Sequence, residues 1–223
     1  MPLVGLQGED VDNSYSPRRT SRTLCAVHWD RLFEDLEGQL AAEWEAERAA
    51  LDAESERLRI SKLTLLTRLH LLQRGEAPIT ARLAGGVRQS GRIRAVGADW
   101  IAVDPVNVPG GALVVPITAL TGVETHHGAI LETLEDAQAP ADDLRARMTF
   151  GFLLRDFSRR RLPLRIAVTG GDELHGTIDR AGVDHLDLAV HDAGEPRLAR
   201  AVRSFRLVPF SVVQWVRTPN ASF

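Results

Sequence analysis

A chain of 223 residues with 44% hydrophobic and 26% charged side chains is long enough for one large globular domain or two small ones. Its formal net charge of −3 argues against a dedicated nucleic-acid binder, which needs a net-basic domain to neutralise phosphates. A single cysteine, Cys25, excludes an internal disulfide and a thiolate metal cage, and no apolar run reaches the roughly 18 residues of a bilayer span.

Residues 1–26 are rich in Ser, Gly, Pro, Asp and Arg without an apolar period and read as a disordered tail. They also lack the apolar core of a signal peptide, so a reducing cytoplasm is the expected location. Ser14, Ser16, Thr20 and Ser21 lie near Arg18, Arg19 and Arg22, a setting for phosphorylation that an unselected polar tail explains more simply. Residues 27–58 read as an acidic amphipathic helix. Trp29, Leu32, Phe33, Leu36, Leu40, Trp44, Leu51 and Leu58 recur at three-, four- and seven-residue steps with no proline between them. Ten acids against three arginines fill residues 30–57. Beyond Trp44 the stripe thins to one large residue in seven, which suits a two-helix contact better than a domain core. Self-association or docking of a protein partner is therefore expected through Trp29, Phe33, Leu36, Leu40 and Trp44. The competing arrangement folds the helix back along its own domains. A second leucine-rich stretch, Leu63 to Leu72, reads as a helix with Gly75 as its stop.

The rest of the chain is similar to itself at an offset of 85 residues. PITARLAGGVRQSGRIRAVGADWIAV (78–103) shares seven identities with PLRIAVTGGDELHGTIDRAGVDHLDL (163–188), where chance gives roughly one or two. They are Pro78/Pro163, Gly85/Gly170, Gly86/Gly171, Gly91/Gly176, Ile93/Ile178, Gly97/Gly182 and Asp99/Asp184. Each copy parses as a strand, a Gly-Gly turn, a second strand, a Gly-x-Asp turn and a third, more apolar strand. After a hairpin that is eight residues longer in the second copy, Pro116 matches Pro209 between two further strands. Leu63–Arg74 aligns with Met148–Arg159, so each copy brings its own helix.

One helix and five short, bent antiparallel strands describe a small SH3-type barrel. Gly91-Arg92-Ile93 and Gly176-Thr177-Ile178 resemble the Gly-x-hydrophobic opening of the second strand in the Sm-like family. The resemblance spans about residues 60–125 and 144–217. It implies an α+β chain with two tandem five-stranded barrels, each preceded by a helix: a helix plus first barrel over 59–126, a linker over 127–143, and a helix plus second barrel over 144–218. The Asp-x-x-Met-Asn turn with which Sm proteins hold uracil has no counterpart in Val96-Gly97-Ala98-Asp99-Trp100 or Ala181-Gly182-Val183-Asp184-His185. The whole chain is also similar to an uncharacterised protein family of high-GC Gram-positive bacteria.

Among residues able to carry chemistry, Asp99 and Asp184 occupy equivalent turns, where a carboxylate accepting a backbone N–H is expected to fix the turn. His126, His127, His175, His185 and His191 lack the carboxylate or cysteine spacing of a metal site, and Gly85-Gly86 and Gly110-Gly111 are not followed by the Lys-Ser/Thr of a phosphate loop. No enzyme, cofactor or metal is expected. Arg159, Arg160, Arg161, Arg203 and Arg206 are candidate nucleic-acid contacts, the first three also serving to offset the helix dipole. The sequence thus favours a non-enzymatic interaction or scaffold protein, with a nucleic-acid-binding regulator as the alternative.

Overall fold

The computed structural model describes residues 22–106, 111–135, 144–194 and 197–218, the first seven by backbone alone. The chain divides into two units, residues 1–59 and 60–223. In the first, α1 spans Arg22–Ser61, 40 residues and about 60 Å at 1.5 Å per residue. Ala, Glu, Leu and Arg, all strong helix formers, fill it without a proline. Arg57 and Arg59 pair with Glu54 and Glu56 one turn back. The expected tail of 1–26 lies outside the described residues as far as residue 21, with Ser14, Ser16, Thr20 and Ser21 in it; residues 22–26 belong to α1.

The second unit begins with α2 (Leu65–Arg74), capped by Thr64, whose hydroxyl accepts the Thr67 N–H. Five strands follow: β1 (Pro78–Leu83), β2 (Arg88–Val96), β3 (Trp100–Pro105), β4 (Leu113–Pro116) and β5 (Leu120–Glu124). A short α3 (His127–Glu132) occupies part of the stretch expected as a linker, and residues 136–143 there are outside the described ones. Then α4 (Phe150–Arg159), capped by Thr149, precedes β6 (Pro163–Val168), β7 (Glu173–Ala181), β8 (His185–Val190), β9 (Ser204–Pro209) and β10 (Val213–Arg217). The halves are built alike. β2–β3 and β7–β8 slip register at equivalent places, between Ile93 and Ala95 and between Ile178 and Arg180. A Cβ on Gly91 would lie 2.2 Å from Asp104 O, and one on Gly176 2.3 Å from Ala189 O, so both positions tolerate only glycine.

Two closed five-stranded barrels are not what these strands make. All ten form one open antiparallel sheet in the order β5-β1-β2-β3-β4-β10-β6-β7-β8-β9. The reason is the partner that β4 takes: β10 of the other half fills its edge, so neither half closes on itself. A hairpin at Pro116 or Pro209 would pair β4 with β5 and β9 with β10. Each proline instead leads into a 3-10 turn, Ile117–Ala119 or Phe210–Val212, that redirects the chain away from its preceding strand. β5 returns to β1, and β4 is left to pair across the halves with β10. Helix together with sheet agrees with the α+β expectation; closure of each half on itself does not occur.

Each half has its own core, and the halves share side chains. Leu69 and Leu72 of α2 pack with Ile79, Leu83, Ile93, Ile101, Val103, Leu113 and Val115 of the first five strands, joined by Ala167 and Trp215. Phe150, Leu153, Leu154 and Phe157 of α4 pack with Leu164, Ile166, Ile178, Leu186, Leu188 and Val208 of the second five. That second core also takes in Ala95, Trp100, Ala102, Ala112 and Val114. Alternate residues of β3 and β4 therefore serve different cores, and both faces are dry over Trp100–Val103 and Leu113–Pro116.

Candidate functional site

Four elements build the seam between the halves. β4 meets β10 with Val114 opposite Val216 and Leu113 opposite Arg217. The turn after β2 grips the start of α4. The N–H of Ala98 and the indole N–H of Trp100 both donate to Met148 O, at 2.9 and 2.8 Å. The Phe150 N–H donates to Asp99 Oδ1 at 2.6 Å. Asp99 thus serves an amide of α4 rather than its own turn, using a helix terminus that favours negative charge. Gln214 of β10 adds a bond to Ala84 O at 2.8 Å.

Among the described residues, the corresponding turn of the second half holds no helix start, and its Gly182 O accepts a bond from the Arg155 guanidinium of α4 at 3.1 Å. Val183 is 93% exposed, and the Asp184 carboxylate accepts a bond from His185 Nδ1–H at 2.8 Å. That bond keeps the Asp184 carboxyl below its ordinary range, more than the smaller charge attraction of the same imidazole. Beside it, Asp179, Arg180, Asp187, Phe205, Arg206 and Leu207 line a half-open groove of about 450 Å³. Phe205 and Leu207, on β9 at the end of the sheet, are 66% and 71% exposed.

Trp29, Phe33, Leu36, Leu40 and Trp44 all lie on α1 and are exposed, as is every side chain from 29 to 58. The Trp29 and Phe33 rings stand 6.4 Å apart along one face of the helix. Of the candidate nucleic-acid contacts, Arg160 pairs with Asp156 at 2.9 Å, Arg161 with Asp179, Arg203 with Asp192 and Arg206 with Asp172. Arg159 is exposed at the end of α4. Sequence reading singled out these arginines as two basic sets but missed the carboxylates opposite them: Asp156 from one turn back on α4 itself, and Asp172, Asp179 and Asp192 from other strands and loops.

A pairing of His175 with His185 across the second and third strands of the copy, which the sequence permits, does not form. His185 sits in the turn with Asp184, whereas His175 stacks edge to face on His191 with centroids 5.2 Å apart. His191 is buried, its Nε2 bonded to the Thr177 hydroxyl at 3.0 Å and its Nδ1 to Asp192 O at 3.0 Å. His126 Nδ1 accepts the Ala129 N–H and caps α3. Among the described residues, no three His, Cys, Asp or Glu side chains converge as a metal cage would need. Among the described residues, no helix is long and apolar enough to cross a membrane. Compared with known proteins, the chain matches no family model and no curated protein.

Proposed function

We propose that this chain is a non-enzymatic interaction or scaffold protein of the cytoplasm, in which two fused five-stranded halves carry a helix that self-associates or docks on a protein partner. The observation that supports this is the stripe Trp29, Phe33, Leu36, Leu40 and Trp44, solvent-exposed on one 40-residue helix. Water leaves such a stripe marginal, and pairing with a second helix buries it.

Tryptophan quenching on the full chain tests the reading, because Trp29 and Trp44 are exposed while Trp100 and Trp215 are buried. For self-association, acrylamide quenching falls as protein concentration rises, and Leu36→Glu with Leu40→Glu abolishes that fall. A concentration-independent signal rejects self-association through α1. The same double variant must then lose a partner captured by the wild-type chain, or the helix has no docking role. Retardation of random RNA or DNA that is salt-sensitive and lost on replacing Arg159, Arg160 and Arg161 by Ala would overturn the proposal in favour of nucleic acid.

A further inference from the structure

We propose that the two ends of the sheet dock head to tail on a second copy of this chain, reproducing between chains the seam that joins the halves within one. Every element of the seam recurs at the ends. Where the first half offers β4 and the turn at 97–99, the second offers β9 and the turn at 182–184. Where the second half offers β10 and the start of α4, the first offers β5 and the start of α2. Among the described residues, β9 and β5 each pair with one strand only.

The unfilled positions correspond one to one with filled ones. Asp99 holds the N-terminal amide of α4, whereas Asp184, at the same place 85 residues on, has an 85% exposed side chain. Thr149 caps α4, and its counterpart Thr64 caps α2 in the same way. Phe150 is buried in the seam, whereas its counterpart Leu65 is 51% exposed. Ala112 and Val114 are buried, whereas their counterparts Phe205 and Leu207 border the groove. A strand edge with no neighbour leaves backbone amides and carbonyls for another strand to pair with.

Charge selects the occupant. Carried over to the ends, the register of the seam sets Val123 of one copy opposite Leu207 of the next, and Glu124 opposite Arg206. Within the seam, the latter pair is Arg217 opposite Leu113. The ends thus place a carboxylate, paired within its own chain with Arg82, against a guanidinium paired with Asp172, so that contact joins two ion pairs through a favourable cross-strand pair. The two surfaces differ, so the contact is heterologous and each copy keeps one open end for the next. The proposal is independent of α1.

Disulfide trapping on the full chain tests it. With Cys25→Ser removing the native thiol, chains carrying Val123→Cys are mixed with chains carrying Leu207→Cys under mild oxidant. The expected product is the mixed disulfide, since directly opposed strand residues lie within bridging distance. Homodimers in place of it, or no linkage while both thiols react with a maleimide, would overturn the proposal. So would a wild-type mass that stays at 24.5 kDa by light scattering at high micromolar concentration. In the second arm, Glu124→Arg alone or Arg206→Glu alone weakens association roughly tenfold, and the two together in one chain restore it. Failure of the double variant to restore association rules out the register.

Discussion

β3 and β8 hold the same place in their halves, yet their outer faces differ. Trp100, Ile101, Ala102 and Val103 are all fully buried, whereas the first four residues of β8 alternate: Leu186 and Leu188 are buried, His185 is exposed and Asp187 half-buried, with Ala189 buried beyond them. The same contrast separates β4 from β9. The cause is a neighbour: β10 and α4 cover the outer face of the first half at Trp100 and Ala102, and among the described residues no strand lies beyond β9 to do the same for His185 and Asp187. Inner faces of both halves pack in the local core except at the far edge, where exposed Arg206 stands in the place of buried Leu113. Outer faces report what lies alongside, which makes them the informative part of the molecule.

The sharpest way to break this comparison is to empty the seam. Phe150→Ala removes a buried ring and should cost about 3–5 kcal/mol of stability by denaturant unfolding, whereas Leu65→Ala at the equivalent place should cost under about 1 kcal/mol. Equal losses would show that α2 is as deeply engaged as α4. Next comes an exchange of outer-face residues. Ala102→Asp puts a carboxyl where the neighbour leaves no water, and should cost about 3 kcal/mol, the group protonating rather than remaining charged. Asp187→Ala imports the first half's residue into the second and should stay within about 0.5 kcal/mol. A mild Ala102→Asp would mean that the seam admits solvent.

Smaller again is the helix grip. Asp99→Ala leaves the Phe150 amide without its acceptor and should lower stability by about 1 kcal/mol. Asp184→Ala, with no helix amide to lose in the single chain, should change it by a few tenths at most.

Part of this contrast is already written in the strands. WIAV and ALVV are continuous apolar runs, as strands dry on both faces must be, while HLDL alternates and FRLV is broken by the charge of Arg206. The glycine pairs marked the turns and close approaches correctly, because a missing Cβ is needed wherever two backbones crowd. What the pattern does not encode is which edge pairs with which. Strand hydrogen bonds run through the backbone, so β4 carries no label saying that β10, a hundred residues away, is its partner rather than β5. Two barrels and one joined sheet share the same alternation, the same turns and the same prolines. The role of Asp99 was hidden for a related reason: its acceptor function depends on a helix start 51 residues further along. The exposed stripe of α1 was legible because a helical period is local.

The smallest predicted effect concerns the turn that differs most between the halves. His185 Nδ1–H donates to Asp184 Oδ1 and draws the carboxyl below its ordinary value. In the first half, Trp100 takes the place of that histidine and spends its N–H on Met148 O instead. A depressed carboxyl stabilises the fold above the pKa it has when unfolded, and the contribution is lost as pH falls through the folded value. Because Asp184 is exposed, solvent screens the effect, and its signature is a titration midpoint rather than a melting temperature. Carbon-detected NMR of the Asp184 carboxyl should show the midpoint rising in His185→Ala. An unmoved midpoint would mean that the bond is not formed in solution, and that the turn at 182–184 is even more open than its counterpart at 97–99.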